Sequence, residues 1–177
     1  AVILLLAVFS FIRASMGHAG EEGDWSIALA LATMHFFAIG LWTGAVIVSG
    51  CFVLHEMRAR QFVAGAADTY LALMSRAAML AVLAMVTTGI YSAWHRVGSA
   101  EHLVHTTYGI TLLVKVAMVL LAIALGGYNK FLGLPAASRS LRGVTLVRVV
   151  LQVETLLLLG ALFAAAILTT QQPPTAM

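Results

Sequence analysis

The chain has 177 residues, of which 62% are hydrophobic and only 10% are charged, and its formal net charge is +3. Soluble globular domains average about 45–50% apolar and about 25% charged residues. The composition therefore excludes an ordinary soluble enzyme and indicates a protein of the lipid bilayer, with no nucleic-acid partner expected. Cys51 is the only cysteine, which excludes an intrachain disulfide and a metal site built from several cysteines.

Five apolar segments follow one another along the chain. The first, Ala1–Ile12, is short, and it is either the end of a spanning helix or the apolar part of a signal peptide. We favour a helix that is retained. Four longer segments reach the roughly 20 residues that cross a bilayer core of about 30 Å; they are Trp25–Leu54, Tyr70–Trp94, Thr106–Leu125 and Val144–Thr169.

These segments predict an all-α integral membrane protein, a four-transmembrane-helix bundle plus one additional, partial N-terminal helix. Residues 1–20 are expected to form the N-terminal transmembrane or signal-like helix, and residues 21–177 the four-helix membrane domain. Between the third and fourth spans, Gly126–Gly143 contains glycine, proline and serine, which predicts a surface connection.

The charged residues are distributed unevenly between the two sides of the predicted bundle. One side holds most of the basic residues, namely Arg58, Arg60, Arg76, Lys130, Arg139, Arg142 and Arg148. The other side holds the acids Glu21, Glu22, Asp24 and Glu101. Because cytoplasmic loops carry an excess of Lys and Arg, the basic side is predicted to be cytoplasmic. The acidic, histidine-containing side then faces the periplasm or the exterior.

Four side chains with binding or ionisable groups lie deep inside the predicted spans. At a rise of about 1.5 Å per residue, His35, Met85 and Lys115 share one layer about 15 Å below the outer surface, and Glu154 lies nearer the midplane. Ionisable groups at such depth are costly, so Lys115 and Glu154 are candidate gating or charge-compensating groups. A Lys115–Glu154 pair linked by water, or a lysine that faces a ligand, would offset the cost.

Histidines collect at the predicted outer rim, where His95, His102 and His105 lie near His18 of the preceding loop. Imidazole binds copper, zinc and haem iron, and thioether sulfur selects Cu(I). Histidines at the rim with Met85 deeper are the ligands that a copper-accepting mouth needs. Two histidines between helices would also hold a haem. Interfacial anchoring of the histidines and core packing of the methionines are the ordinary alternatives.

Several short motifs, in their order and spacing, resemble the copper-resistance D (CopD) family of bacterial inner-membrane proteins. The first span has the pattern H-x-x-A-x-x-x-W-x-G from His35 to Gly44. The later matches are Ser75-Arg76, Thr88-Gly89, Ala93-Trp94, Gly98-Ser99, Thr106-Thr107-Tyr108-Gly109, Leu112-Leu113-x-Lys115, Gly126-Gly127-x-Asn129-Lys130-Phe131, Pro135, Leu141-Arg142, Val153-Glu154 and Pro173-Pro174. Two positions depart from the family pattern, Ile110 where a basic residue is expected and Ala45 where a second glycine is frequent.

This resemblance implies a copper homeostasis or copper-resistance membrane protein, which is a transport or binding protein and not an enzyme. It would bind copper on the periplasmic side and take part in its transfer into or across the bacterial inner (cytoplasmic) membrane. The expected metal ligands are His35, His95, His105 and Met85, with Lys115 and Glu154 as gating or charge-compensating groups. The expected partners are the lipid bilayer, a periplasmic copper carrier and other subunits of a larger membrane complex.

A more distant similarity, to the HemJ-type membrane haem proteins, rests on His35, Trp42, His55 and Lys115, although Asn129 stands where that family tends to have histidine. It implies a haem-b membrane oxidoreductase or electron carrier, in which two of His35, His95 and His105 ligate the iron, with His35 and His105 as the favoured haem-binding residues, and Lys115 pairs with a propionate. Its weak point is the axial pair, because His35 lies deep and the other histidines lie near the surface. A third alternative is a structural subunit whose polar groups specify helix packing.

Overall fold

The computed structural model describes residues 1–21, 26–53, 64–97, 100–137 and 139–171. This part of the chain is helical and contains no strand. The helices are α1 Val2–Ser15, α2 His18–Glu21, α3 Ile27–Ile47, α4 Ala64–Val97, α5 Ala100–His105, α6 Thr107–Tyr128, α7 Leu134–Ala137 and α8 Leu141–Thr170. Two wider, π-helical turns, Val48–Val53 and Asn129–Gly133, continue α3 and α6. The predicted all-α fold class is confirmed.

Four helical stretches are long and apolar enough to cross a membrane: Ile27–Cys51, Ala72–His95, Thr107–Ala137 and Arg142–Thr170. They confirm the four predicted spans, and α1 is the expected shorter apolar helix. The first span was predicted from Trp25 to Leu54, and both of these end residues lie outside the described part of the chain. The protein is therefore a multi-pass membrane protein.

The predicted surface connection from Gly126 to Gly143 is wrong over most of its length. Helix α6 runs through Gly126 and Gly127 to Tyr128, and the π-helical turn and α7 continue the helical path to Ala137. Glycine weakens a helix in water, but it is frequent in membrane helices, where it lets neighbouring helices approach closely. Gly126 serves this purpose, since a Cβ atom there would lie 3.4 Å from Glu154 Oε1, whereas a Cβ atom at Gly127 would meet nothing within 4 Å.

Hydroxyl side chains fix where three of the long helices begin. Ser26 accepts a hydrogen bond from the backbone N–H of Leu29 at 3.1 Å and so caps α3. Thr106 caps α6 through the N–H of Gly109 at 3.0 Å, and Ser140 caps α8 through the N–H of Gly143 at 3.1 Å. Each cap satisfies a backbone donor that has no partner inside the helix.

Helices α3 and α8 occupy the middle of the bundle. Helix α3 packs against α1, α4 and α8, and α8 packs also against α6 and both π-helical turns. Their buried side chains meet in one core formed by Ala38, Trp42, Val46, Ala81, Met85, Ala122, Val147, Leu151 and Leu158. We call the end at which α3 and α6 begin the outer end, and the end at which they finish the inner end. A smaller cluster of Val97, Tyr108 and Leu112 packs with Leu168 at the outer end.

Large apolar side chains cover the outside of the bundle, as expected for contact with lipid. On α4 these include Leu80, Leu83 and Ile90, and α8 adds Leu156 and Phe163. Soluble monomers rarely expose continuous apolar surface on this scale. Helix α1 buries Ser10 and Ala14 and places Leu6 against Gly40 of α3.

We expect Gly143→Ala to destabilise the protein by about 1–3 kcal/mol, because overpacking has costs of this size. A Cβ atom at Gly143 would overlap the backbone carbonyl of Ala136 in α7. The measurement is thermal unfolding of the purified protein in detergent, followed by tryptophan fluorescence.

The matched control for this prediction is Gly44→Ala in α3, where an added Cβ atom meets nothing within 4 Å. This change should be neutral or stabilising by up to about 1 kcal/mol, since alanine is the better helix former. Equal loss of stability in both variants would contradict the prediction.

Candidate functional site

Three polar side chains lie on one face of α3 and its π-helical extension, at intervals of seven residues. They are His35, Trp42 and Ser49, so successive members are about 10 Å apart along the helix. Seven residues are close to two full turns, which keeps the three on the side that faces the other helices. Each of them bonds to a different set of partners, and together they form the candidate site.

His35, near the outer end, bonds to Thr88 of α4. The distance from His35 Nδ1 to Thr88 Oγ1 is 2.8 Å, and the same hydroxyl lies 2.6 Å from the carbonyl oxygen of Ala84. A hydroxyl has one proton, and the carbonyl can only accept, so Thr88 donates to Ala84 and His35 Nδ1–H donates to Thr88. In this tautomer Nε2 is the ring nitrogen that carries the lone pair. Gly89 leaves room for the ring, since a Cβ atom there would lie 3.3 Å from His35 Cε1.

Met85, one of the predicted metal ligands, lies one helical turn from Thr88 on the same face of α4. Its side chain is buried in the core beside Ala38 and Trp42 of α3. The carbonyl of Met85 also lies 3.2 Å from the hydroxyl of Thr88. The imidazole of His35 and the thioether of Met85 therefore occupy adjoining turns at the α3–α4 interface.

Lys115 lies on the inward-facing stripe of α6, between Leu112 and Val119. Met118 faces Gly160 and Gly126 faces Glu154 across the α6–α8 interface, which places Lys115 opposite Ala164. On α3, Trp42 bonds to Glu154 of α8. Because the two helices are antiparallel, His35, seven residues further out, is opposite Ala161. His35 and Lys115 are thus within about three residues, or about 5 Å, of the same level.

The same register separates Lys115 from Glu154. Ten residues of α8 lie between Glu154 and Ala164, a distance of about 15 Å along the helix. The structure therefore does not form the water-linked Lys115–Glu154 pair that the sequence suggested, because the two side chains occupy different levels of the bundle.

Glu154 is instead held by Trp42, the second member of the α3 stripe. The indole Nε1–H of Trp42 donates to Glu154 Oε1 at 3.1 Å, and only 1% of the glutamate is exposed. A Cβ atom on Gly126 would lie 3.4 Å from the same oxygen, so the glycine of α6 provides the space for the carboxyl group. Glu154 Oε2 has no hydrogen-bond partner within the described residues. One carboxyl group thus joins α3, α6 and α8.

The third member of the stripe, Ser49, binds two side chains of α4. Its hydroxyl donates to Met74 Sδ at 2.6 Å and lies 3.0 Å from the hydroxyl of Tyr70. Either hydroxyl can be the donor in the bond between Ser49 and Tyr70. The sequence predicted no role for Ser49, Tyr70 or the motif residue Thr88, although the seven-residue spacing from His35 through Trp42 to Ser49 could have revealed the first of them.

Two of the rim histidines, His95 and His102, bond to nearby backbone carbonyl groups. His95 Nδ1–H donates to the carbonyl of Tyr91 at 3.1 Å, and its exposed ring packs on that tyrosine with centroids 4.2 Å apart. His102 Nδ1–H donates to the carbonyl of Val97 at 2.9 Å, and His105 is exposed at the end of α5. Within the described ranges, no three His, Cys, Asp or Glu side chains converge on one metal position. The side chain of His18 is not among those that the structure describes, and Glu22 and Asp24 lie outside the described residues.

The predicted haem ligands do not share one level. Thr88, which binds His35, and His95 are seven residues apart on α4, so the two histidines differ in depth by about 10 Å. An axial pair must face across one iron atom. His55, which carried part of the similarity to the HemJ-type proteins, lies outside the described residues.

Comparison with known families adds evidence that geometry alone does not give. Residues 69–168 match the family model described as Copper resistance protein D (CopD). The chain belongs to the CopD family. The match includes Met85, Thr88, Lys115, Asn129 and Glu154, and it begins beyond α3. Neither the curated proteins nor the solved structures that were compared give a significant match. Family membership together with the four apolar helices makes this chain a copper-resistance membrane protein.

We expect the bond between Trp42 and Glu154 to stabilise the bundle, and a double-mutant cycle tests it. Trp42→Phe should cost about 1–3 kcal/mol, because it removes the donor from a buried acceptor. In a Glu154→Leu background the same change should cost less, with a coupling energy of about 0.5–3 kcal/mol. Unfolding in detergent measures each variant.

Trp94→Phe serves as the control for this cycle, because Trp94 is 80% exposed and its loss should leave stability unchanged within about 0.5 kcal/mol. An equal cost of Trp42→Phe in both backgrounds would show that the tryptophan acts through packing alone.

Proposed function

We propose that this CopD-family protein binds copper on the periplasmic side and takes part in its transfer into or across the bacterial inner membrane. Family membership supports the copper-related role. The observation that supports the finer proposal is the hydrogen bond between His35 and Thr88, which orients the imidazole at the α3–α4 interface. Such a bond on the second ring nitrogen is how proteins orient metal-binding histidines.

The donor set around this imidazole supports copper as the substrate. The thioether of Met85 lies on the adjoining turn of α4, and sulfur of this kind selects Cu(I) over harder ions. Imidazole binds both oxidation states of copper. One nitrogen and one sulfur form a partial set, which suits an ion that is received and passed on.

A continuous line of side chains on α4 leads from the outer end to this position. His95, Tyr91, Thr88 and Met85 are spaced by four, three and three residues, and so lie on one face. Copper received by His95, with His105 as a further ligand at the rim, would move about 15 Å along this face to Met85. Helix α4 is thus the entry route in this proposal.

Lys115 limits how far the copper ion can travel. Its level is that of His35, and a fixed cation in a medium of low dielectric constant repels a second one. The protein in this proposal is therefore not an open channel. It binds copper in the outer half and delivers it to a partner. A periplasmic copper carrier on the donor side and another subunit on the acceptor side are the partners of this proposal.

We also propose that α1 is retained in the working protein and that the outer end faces the periplasm. The packing of α1 on α3, which buries Ser10 and Ala14, supports the first point. The excess of basic residues at the inner end supports the second.

For copper binding we predict that Thr88→Val weakens Cu(I) affinity by about 10–100-fold, as loss of such an orienting hydrogen bond typically does. His35→Ala and Met85→Leu should each weaken it as well. The measurement is competition with a chromophoric Cu(I) chelator, using protein in lipid nanodiscs.

Thr87→Val is the matched control, because the Thr87 hydroxyl bonds only to carbonyls of its own helix at 3.0 Å. It should retain the affinity of the wild type. Wild-type affinity in His35→Ala would refute the proposed ligand. A Soret band in the purified protein that sharpens on reduction by dithionite would favour the haem alternative.

The proposed orientation in the membrane predicts which single cysteines can be labelled from outside, when each is introduced into a Cys51→Ser variant. Glu101→Cys, in exposed α5, should react with a membrane-impermeant maleimide in intact spheroplasts. Arg139→Cys, exposed between α7 and α8, should react only after the membrane is opened. The reverse pattern would invert the orientation.

A further inference from the structure

Two buried polar side chains at the α6–α8 interface have unsatisfied hydrogen-bonding groups. Glu154 Oε2 has no partner within the described residues, and neither does the amide oxygen or the amide nitrogen of Asn129. Glu154 is 1% exposed and Asn129 is 5% exposed. Buried polar groups are nearly always paired, so two such residues together require an explanation.

The two side chains lie close to each other along α6. The carboxyl group of Glu154 packs on Gly126, and Asn129 follows Gly126 by three residues, which is about one helical turn towards the inner end. Asn129 opens the π-helical turn that finishes α6, where that turn packs against α8. Asn129 therefore lies on the inner side of the carboxyl group.

The absence of a side chain at Gly133 leaves space for the amide group of Asn129. A Cβ atom on Gly133 would lie 2.7 Å from Asn129 Oδ1 and 2.9 Å from Cγ2 of Val147. The side chain of Asn129 thus extends from the level of Glu154 towards the inner end of the bundle. The amide stands between the buried carboxyl group and that end.

The chemistry of these groups selects the class of ligand. A carboxyl group in the bilayer interior is stable as a neutral acid or with a cation bound to it, since an isolated buried charge is strongly disfavoured. The register places Lys115 about 15 Å further out, and Arg148, whose buried Nε also has no partner within the described residues, lies six residues, about 9 Å, further in along α8. Neither cation is at the level of the carboxyl group. Carboxylate and amide oxygens prefer hard cations, in contrast to the imidazole and thioether of the outer half.

We propose that Glu154 forms an internal binding site for a small hard cation, a proton or Na⁺, which enters from the inner end past Asn129. Trp42 holds Oε1 and leaves Oε2 for the ion. This site is distinct from the proposed copper position, and it does not depend on copper being the substrate.

Infrared spectroscopy of the protein in lipid nanodiscs tests the proposal. The carbonyl stretch of a neutral Glu154 is identified as the acid band that Glu154→Gln removes. For a proton site, the band should shift in D₂O and disappear as the pH is raised, whatever the salt. For a Na⁺ site, it should disappear at fixed pH when NaCl replaces choline chloride. Either response supports the proposal and identifies the ion.

Asn129→Leu tests the route, because it removes the amide at nearly constant size. It should slow hydrogen–deuterium exchange of the Glu154 band about tenfold, the rate equivalent of losing one hydrogen bond along the path. Thr155→Val is the control, since the hydroxyl of Thr155 bonds to the carbonyl of Leu151 in its own helix at 2.8 Å. Exchange in this variant should match the wild type.

Three results would overturn the proposal. The first is a Glu154 band that is unchanged by pH, Na⁺ and D₂O, which would show that the carboxyl group is always neutral and serves as a hydrogen-bond donor between helices. The second is the absence of any Glu154 band under all conditions. The third is equal exchange in Asn129→Leu and the wild type. Because the assay contains no copper and Asn129→Leu keeps Glu154, its outcome is independent of the Thr88→Val experiment.

Discussion

The hydrogen bond from Trp42 to Glu154 sets the register of the central helices. A polar group inside a membrane bundle has few acceptable positions, because lipid offers neither donors nor acceptors. Apolar side chains gain little by leaving lipid for another helix, so close packing at small residues and interhelical hydrogen bonds determine how membrane helices associate. Here both act at one point, where Gly126 admits the carboxyl group and Trp42 binds it. Displacing α3 or α6 along α8 would bury that group against apolar side chains.

The register fixed at this point divides the bundle by chemistry. The outer half presents nitrogen and sulfur, from His35 and Met85, whereas the inner half presents the oxygens of Glu154 and Asn129. Soft and hard cations prefer these two sets respectively. His35 lies about 10 Å along α3 from the Trp42 that binds Glu154, and two charges at that distance still interact in a medium of low dielectric constant. Occupancy of one half would therefore influence the affinity of the other.

Much of the fold could be predicted from the sequence, because a continuous apolar segment of about 20 residues is needed to cross a bilayer and is needed by few other structures. The boundaries were less predictable, since Gly126 and Gly127 signal a break in water and close packing in a membrane. The depth of Glu154 followed from helical rise alone, but its partner did not. Which way a helix face points, and how two helices are offset, depend on tertiary contacts such as Met118 against Gly160. The bond of Thr88 to His35 was not predicted, because threonine in an apolar helix ordinarily bonds only to its own backbone.

The even spacing of His35, Trp42 and Ser49 has a consequence for how this family can diverge in length. Each residue added to a helix turns everything beyond it by about 100°. A single insertion or deletion between His35 and Ser49 would therefore aim at least one of the three away from its partner, while leaving the apolar character of the span intact. Homologues should then vary in length in the connections between helices and keep a constant count across these fifteen positions. Alignment gaps within that interval would mark relatives that have lost the polar interior.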